Sequence, residues 1–191
     1  MTARWWAGVP GDDVRPDTHL LAAVDRALAG SGAAAELVCT SVDRSAAALG
    51  TGVAVRLTAE PTDPVATRTA LAGALGGPVV VDGDLGGDEA AAPAVAALRT
   101  VRDGLGGRCV RFPGQDAVTG RLPAAELLAA TAIDELVGVG VAVTPDAVVD
   151  TLGFLRPQFA GGRLTLMVEQ AAGGVLQPFE VQFPHECCGG H

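Results

Sequence analysis

The feature that most constrains this fold is a repeated switch of hydrophobic period between Pro16 and Phe112. Helix-spaced apolar residues alternate with short strand-like runs, and glycine stops most segments. Pro16-Asp17-Thr18 opens a helix with Asp17 as its N-cap, Leu20, Leu21, Val24 and Leu28 follow at helical spacing, and Gly30 and Gly32 end it. Ala35 to Cys39 reads as a strand, whereas Ser41 to Gly50 is Ala- and Ser-rich and receives no assignment. Val53, Val55 and Leu57 alternate with Ala54, Arg56 and Thr58, the pattern of a half-buried strand. Pro61-Thr62-Asp63-Pro64 starts a second helix that Gly76-Gly77 terminates. Pro78-Val79-Val80-Val81 is an uninterrupted apolar strand of the kind that fills the middle of a parallel sheet. A third helix from Asp88 to Leu105 and a strand from Arg108 to Phe112 complete three or four β-α units. This order predicts an α/β protein: a mostly parallel or mixed sheet with flanking helices.

The pattern changes near Gly120. Pro123 to Val137 reads as one more helix, and Val141 to Leu152 as short strands and turns. Arg163 to Glu169 alternates cleanly between Gly161-Gly162 and Gly173-Gly174, so Val175 to Val181 is expected to fold back on it. The expectation is a domain over 1–119, then a helix and a C-terminal antiparallel β-hairpin over 120–191, with one continuous domain as the alternative.

Composition narrows the chemistry. The net charge of −9 argues against nucleic acid as a partner and against anionic membrane surfaces. All 13 basic residues are arginine, and lysine, asparagine and tyrosine are missing, a bias typical of a GC-rich bacterial genome. No lysine means no Schiff base and no P-loop. No glycine-rich dinucleotide fingerprint follows a strand, and no Gly-x-Ser-x-Gly elbow occurs. The N-terminus through Trp5 and Trp6 lacks the charged-then-apolar order of a signal peptide, and no apolar run reaches the length of a membrane span. A cytoplasmic protein with reduced thiols is therefore expected. Trp5 and Trp6 are read as anchors of the N-terminus on the core, and Cys39 and Cys109 as small, inert core residues.

Coordinating chemistry concentrates in the last seven residues. His185, Cys187, Cys188 and His191 offer two thiols and two imidazoles, and Gly189-Gly190 gives the backbone freedom to bring His191 back. Thiolate and imidazole together suit zinc or copper(I). Side chains of adjacent residues on extended chain point to opposite faces, so Cys187 and Cys188 share one metal only across a kinked backbone. A soft-metal-binding protein is the leading expectation, alone or as the metal centre of an enzyme, with Cys39, Cys109, His19, Asp82 or Asp84 as further donors. Two alternatives stand beside it. Cys187 and Cys188 form a vicinal pair that senses oxidants or thiophiles, or the chain is a structural or interaction protein whose tail is incidental.

The C-terminal stretch Phe154-Leu155-Arg156-Pro157-Gln158-Phe159-Ala160-Gly161-Gly162-Arg163-Leu164, then Pro178-Phe179-Glu180-Val181, then Cys187-Cys188 and His191, resembles an actinobacterial protein family that ends in a Pro-rich stretch and Cys-Cys-x-x-His. Cys187, Cys188 and His191 match that ending and His185 does not, which points to those three plus a group from elsewhere. The resemblance brings no activity with it. Two further candidates are weaker. Asp82 and Asp84 follow an apolar strand, where α/β sheets bind ligands, although Asp82-Gly83 is also an ordinary turn. Arg156 and Gln158 can grip a carboxylate or phosphate, although Arg156 can equally pair with an acidic side chain.

Overall fold

The structure, a computed structural model, describes residues 4–43, 50–85 and 88–182. In chain order its elements are β1 (Trp5–Gly8), α1 (Asp17–Leu28), β2 (Ala35–Asp43), β3 (Gly50–Leu57), α2 (Pro64–Leu75), β4 (Val79–Val81), α3 (Ala92–Arg102), β5 (Arg108–Arg111), β6 (Arg121–Pro123), α4 (Ala124–Ala130), β7 (Glu135–Gly138), β8 (Val148–Asp150), β9 (Gln158–Ala160), β10 (Arg163–Gln170) and β11 (Leu176–Pro178). The fold is mixed α/β, with strand pairing mostly antiparallel. The chain divides into two compact units, Met1–Pro113 with Gln158–Gly162, and Gly114–Pro157 with Arg163–His191.

The strand order in the first unit is β4-β1-β3-β2-β5-β9, and every pairing in it is antiparallel. Of the two expected layouts, mostly parallel or mixed, the mostly parallel one fails for a specific reason. Following the pairings across the sheet, β3, β4 and β5 all run the same way, so the segments β3-α2-β4 and β4-α3-β5 are true helical crossovers. However, β1 and β2 run the other way and insert between those strands. The helix–strand rhythm is a correct sign of crossovers, and β2 is legible as a strand from Ala35, but hydrophobic period carries neither its direction nor its place between β3 and β5.

Helices cover both faces of this sheet. Leu20, Val24 and Leu28 of α1 and Leu71 and Leu75 of α2 share one core with Trp6, Val38, Val53, Val55, Leu57, Val79 and Val110. Ala94, Ala97, Leu98 and Val101 of α3 are buried against β1, β2 and β3. Hence β3 is not half-buried: Ala54 on the α3 side and Val55 on the opposite side are 0% and 2% exposed. α2 begins and ends as its sequence indicates: the Asp63 side chain accepts from the Ala66 N–H at 2.9 Å, Pro64 takes the first turn, and Gly76 closes the helix at φ +80°. α1 differs. Pro16 occupies the N-cap, and Asp17 instead accepts both terminal nitrogens of Arg108 at 2.9 Å.

A second two-pronged pair joins the same elements, Arg111 to Asp25 at 2.5 and 2.8 Å. The hydrogen bond from Arg111 is the main cause that holds the Asp25 carboxyl below its ordinary value, against a smaller desolvation effect. A carboxyl depressed in the folded state stabilises the fold above its unfolded value, near pH 4, and that contribution is lost as pH falls through the folded value. Asp25 is half-exposed, so its share is small, about 0.5 kcal/mol after solvent screening. Asp25→Asn is expected to lower neutral-pH stability by that amount and to flatten the acid limb of stability below about pH 4, as measured by urea unfolding from pH 2 to 7.

In the second unit β10 is flanked on both edges. The carbonyls of Leu164 and Val168 accept from the Asp134 and Val139 N–H groups beside β7, and the Met167 carbonyl accepts from Phe179 at the end of β11. The order is β7-β10-β11-β8-β6, with β7–β10 and β11–β8 parallel and the other two pairings antiparallel. β11 folds back antiparallel on β10, with Gln170 opposite Leu176, and both strands are interior to the sheet. The helix expected to reach Val137 ends at Ala130. The Thr131 hydroxyl bonds the Leu127 carbonyl and accepts from the Ile133 N–H, which turns the chain, and Leu136 and Val137 then lie in β7.

Candidate functional site

The candidate site is a crevice in the first unit, built by the end of β4, the first half of α2 and β1. Val81 to Asp84 forms a four-residue turn: the Asp84 N–H donates to the Val81 carbonyl at 2.9 Å. Gly83 adopts φ +93°, the positive value that the third position of a type II turn requires. The turn reading of Asp82-Gly83 therefore holds, and the same turn carries both carboxylates to one place. Asp82, Gly83 and Asp84 line a crevice of about 410 Å³ together with Trp6, Glu60, Pro64, Val65, Arg68, Thr69 and Val81.

Its electrostatics are those of paired charges with one left over. Arg68 donates through Nε to the Val79 carbonyl at 2.8 Å and through a terminal nitrogen to Asp84 at 2.7 Å. Arg102 of α3 donates to Asp82 at 2.8 Å and to Asp103 at 2.9 Å. Those contacts, with the Asp103 hydrogen bond the larger and the Asp82 attraction next, raise the Arg102 guanidinium further above its ordinary value. Glu60 has no hydrogen-bond or ion-pair partner among the described residues. Trp6 is 2% exposed and forms part of the wall, whereas Val65 is 77% exposed at the rim. Among the described residues the lining holds no histidine or cysteine, and the Thr69 hydroxyl is bonded to the Val65 carbonyl at 3.1 Å. The charged groups the crevice presents are thus three carboxylates, Glu60, Asp82 and Asp84, and one guanidinium, Arg68.

The other candidates fall elsewhere. Arg156, in the second unit, lies over the Phe154 ring at 3.8 Å and donates to the Leu155 carbonyl at 2.8 Å. Gln158 is exposed at the start of β9, paired with Arg108. His19 sits in the first turn of α1 with Nδ1 3.0 Å from the Asp13 carbonyl. Cys39 and Cys109 are not separate inert thiols. They are direct cross-strand partners on β2 and β5, wholly buried and disulfide-bonded to each other, so the expectation of reduced thiols fails for this pair. Among the described residues no group of three or more His, Cys, Asp and Glu side chains is placed to hold a metal, and no helix is long and apolar enough to cross a membrane. His185, Cys187, Cys188 and His191 lie outside the described residues.

Sequence reasoning locates Asp82 and Asp84 but misses Glu60, Arg68 and Trp6 as their companions. Arg68 stands four residues after Pro64 on α2, one turn in, and that helical spacing is the available signal. Nothing local announces the Cys39–Cys109 pairing, which spans a separation of 70 residues. No protein-family model, curated protein or solved structure matches the chain.

Proposed function

We propose that the chain binds a soft metal ion, zinc or copper(I), through Cys187, Cys188 and His191, with His185 as a further donor. The support is donor chemistry: thiolate and imidazole in one glycine-bearing segment. The observation that carries it is how the first unit uses its own donors. Cys39 and Cys109 are bonded to each other with no exposed surface, and Asp82 and Asp84 are each engaged by an arginine. Those four body donors are thus committed elsewhere, which leaves His185 of the tail, or His19 at the start of α1, as the fourth donor beside Cys187, Cys188 and His191.

The Cys39–Cys109 bond also favours a second reading. A chain that forms one disulfide passes through conditions in which Cys187 and Cys188 can be oxidised as well, as a vicinal redox pair. One experiment separates the two. Elemental analysis of anaerobically purified protein is expected to find about one zinc or copper per chain, lost in the Cys187→Ser/Cys188→Ser variant. Absence of metal from both samples overturns the metal reading, and a reductant-dependent count of tail thiols in that case supports the redox one.

A further inference from the structure

The crevice beside β4 has a ligand chemistry of its own, independent of the tail. The geometry points to a binding site for a small organic ammonium ion with a compact apolar body. Three features carry this. The space of about 410 Å³ lies within the range of small-ligand sites, roughly 300–1,000 Å³. Its walls divide by chemistry, with Trp6, Pro64, Val65 and Val81 apolar and Glu60, Asp82 and Asp84 acidic. Its charge is unbalanced, because among the described residues Glu60, Asp82, Asp84 and Asp103 meet only Arg68 and Arg102, and the latter is shared by two carboxylates.

The same contacts exclude an anionic ligand. Among the described residues of the lining Arg68 is the only cationic side chain, and it is already spent on Asp84 and the Val79 carbonyl. A bare metal ion fits poorly, since the described residues bring no three donors together. An ammonium group can take Glu60 as its counter-charge, with the turn carboxylates beside it, while its apolar portion covers the Val81 and Val65 side of the crevice. The Asp84–Arg68 and Asp82–Arg102 pairs then act as positioning contacts: they fix the turn and α2 so that the lining keeps its shape.

The test uses the full chain and three probes that share one phenethyl body and differ in head group, phenethylammonium, phenethyl alcohol and 3-phenylpropionate, titrated by NMR shift perturbation. Phenethylammonium is expected to bind with perturbations around Val65 and Val81, and the alcohol about tenfold more weakly. Glu60 is exposed, so Glu60→Gln leaves the fold intact and is expected to abolish the preference for the ammonium. Equal binding of all three probes, no binding of phenethylammonium, or an undiminished preference in Glu60→Gln would each overturn the inference.

Discussion

Removing the Cys39–Cys109 disulfide is expected to destabilise the chain by about 4 kcal/mol, the chain-entropy value for a closed loop of this length. That is a large fraction of the roughly 5–15 kcal/mol typical of a folded domain. The bond also has a positional role. β2 and β5 change register between Val38 and Cys39, and the covalent link sits at that irregularity. A register shift of one residue would turn Val38 and Val110 out of the core they share with α1 and α2. In urea unfolding, the midpoint of the wild type is expected to fall when reductant is present throughout. The Cys39→Ala/Cys109→Ala variant is expected to unfold early and to ignore reductant. The reductant comparison matters because alanine also removes two buried sulfurs, a packing loss that reductant does not cause. Both cysteines are fully buried, so reduction should need prior opening, and native protein should resist reductant for far longer than partly unfolded protein. A wild-type midpoint identical with and without reductant would show that the bond contributes nothing.

Only some local signals in this sequence are reliable, and the long-range ones are not present to be used. Asp63-Pro64 and Gly76 fix both ends of α2, each through groups within four residues in the chain, so that helix is legible. Val79-Val80-Val81 is legible as a buried strand but not as an edge strand. It is covered by α2 and α3, so its burial resembles that of a central parallel strand, although β1 is its one partner among the described strands. The β7 strand is hidden inside an apparent helix because Leu136 and Val137 continue an apolar spacing that the Thr131 side chain interrupts. At the crevice, the Asp82-Gly83-Asp84 turn is visible. Its partners come from α2, α3 and β1, and only the sheet order, with β1 between β3 and β4, brings them there.

The same sheet order gives the other large prediction, in which a substitution that ordinarily helps does harm. Glycine inside a strand usually costs about 0.5–1 kcal/mol relative to alanine, so Gly→Ala in a strand is normally stabilising. Gly52 in β3 should reverse that sign. A Cβ at this position would lie 2.2 Å from the Pro93 carbonyl oxygen and 2.6 Å from the Ala97 Cβ, both on α3. The first of these is backbone and cannot rotate away. The α3-facing side of β3 carries Gly50, Gly52 and Ala54, and α3 answers with Pro93, Ala94 and Ala97, so helix and sheet meet almost backbone to backbone. Gly52→Ala forces α3 outward and loosens its contacts along β1, β2 and β3, with an expected cost of about 2–3 kcal/mol. Gly73 provides the matched contrast. It is exposed on α2, a Cβ added there would meet nothing within 4 Å, and its φ is not positive, so Gly73→Ala is expected to stabilise by about 1 kcal/mol. Opposite shifts of the two urea midpoints are the expected result. A Gly52→Ala protein as stable as wild type would mean that α3 rides on the sheet with slack, and that the small-residue face of β3 is not what sets their separation.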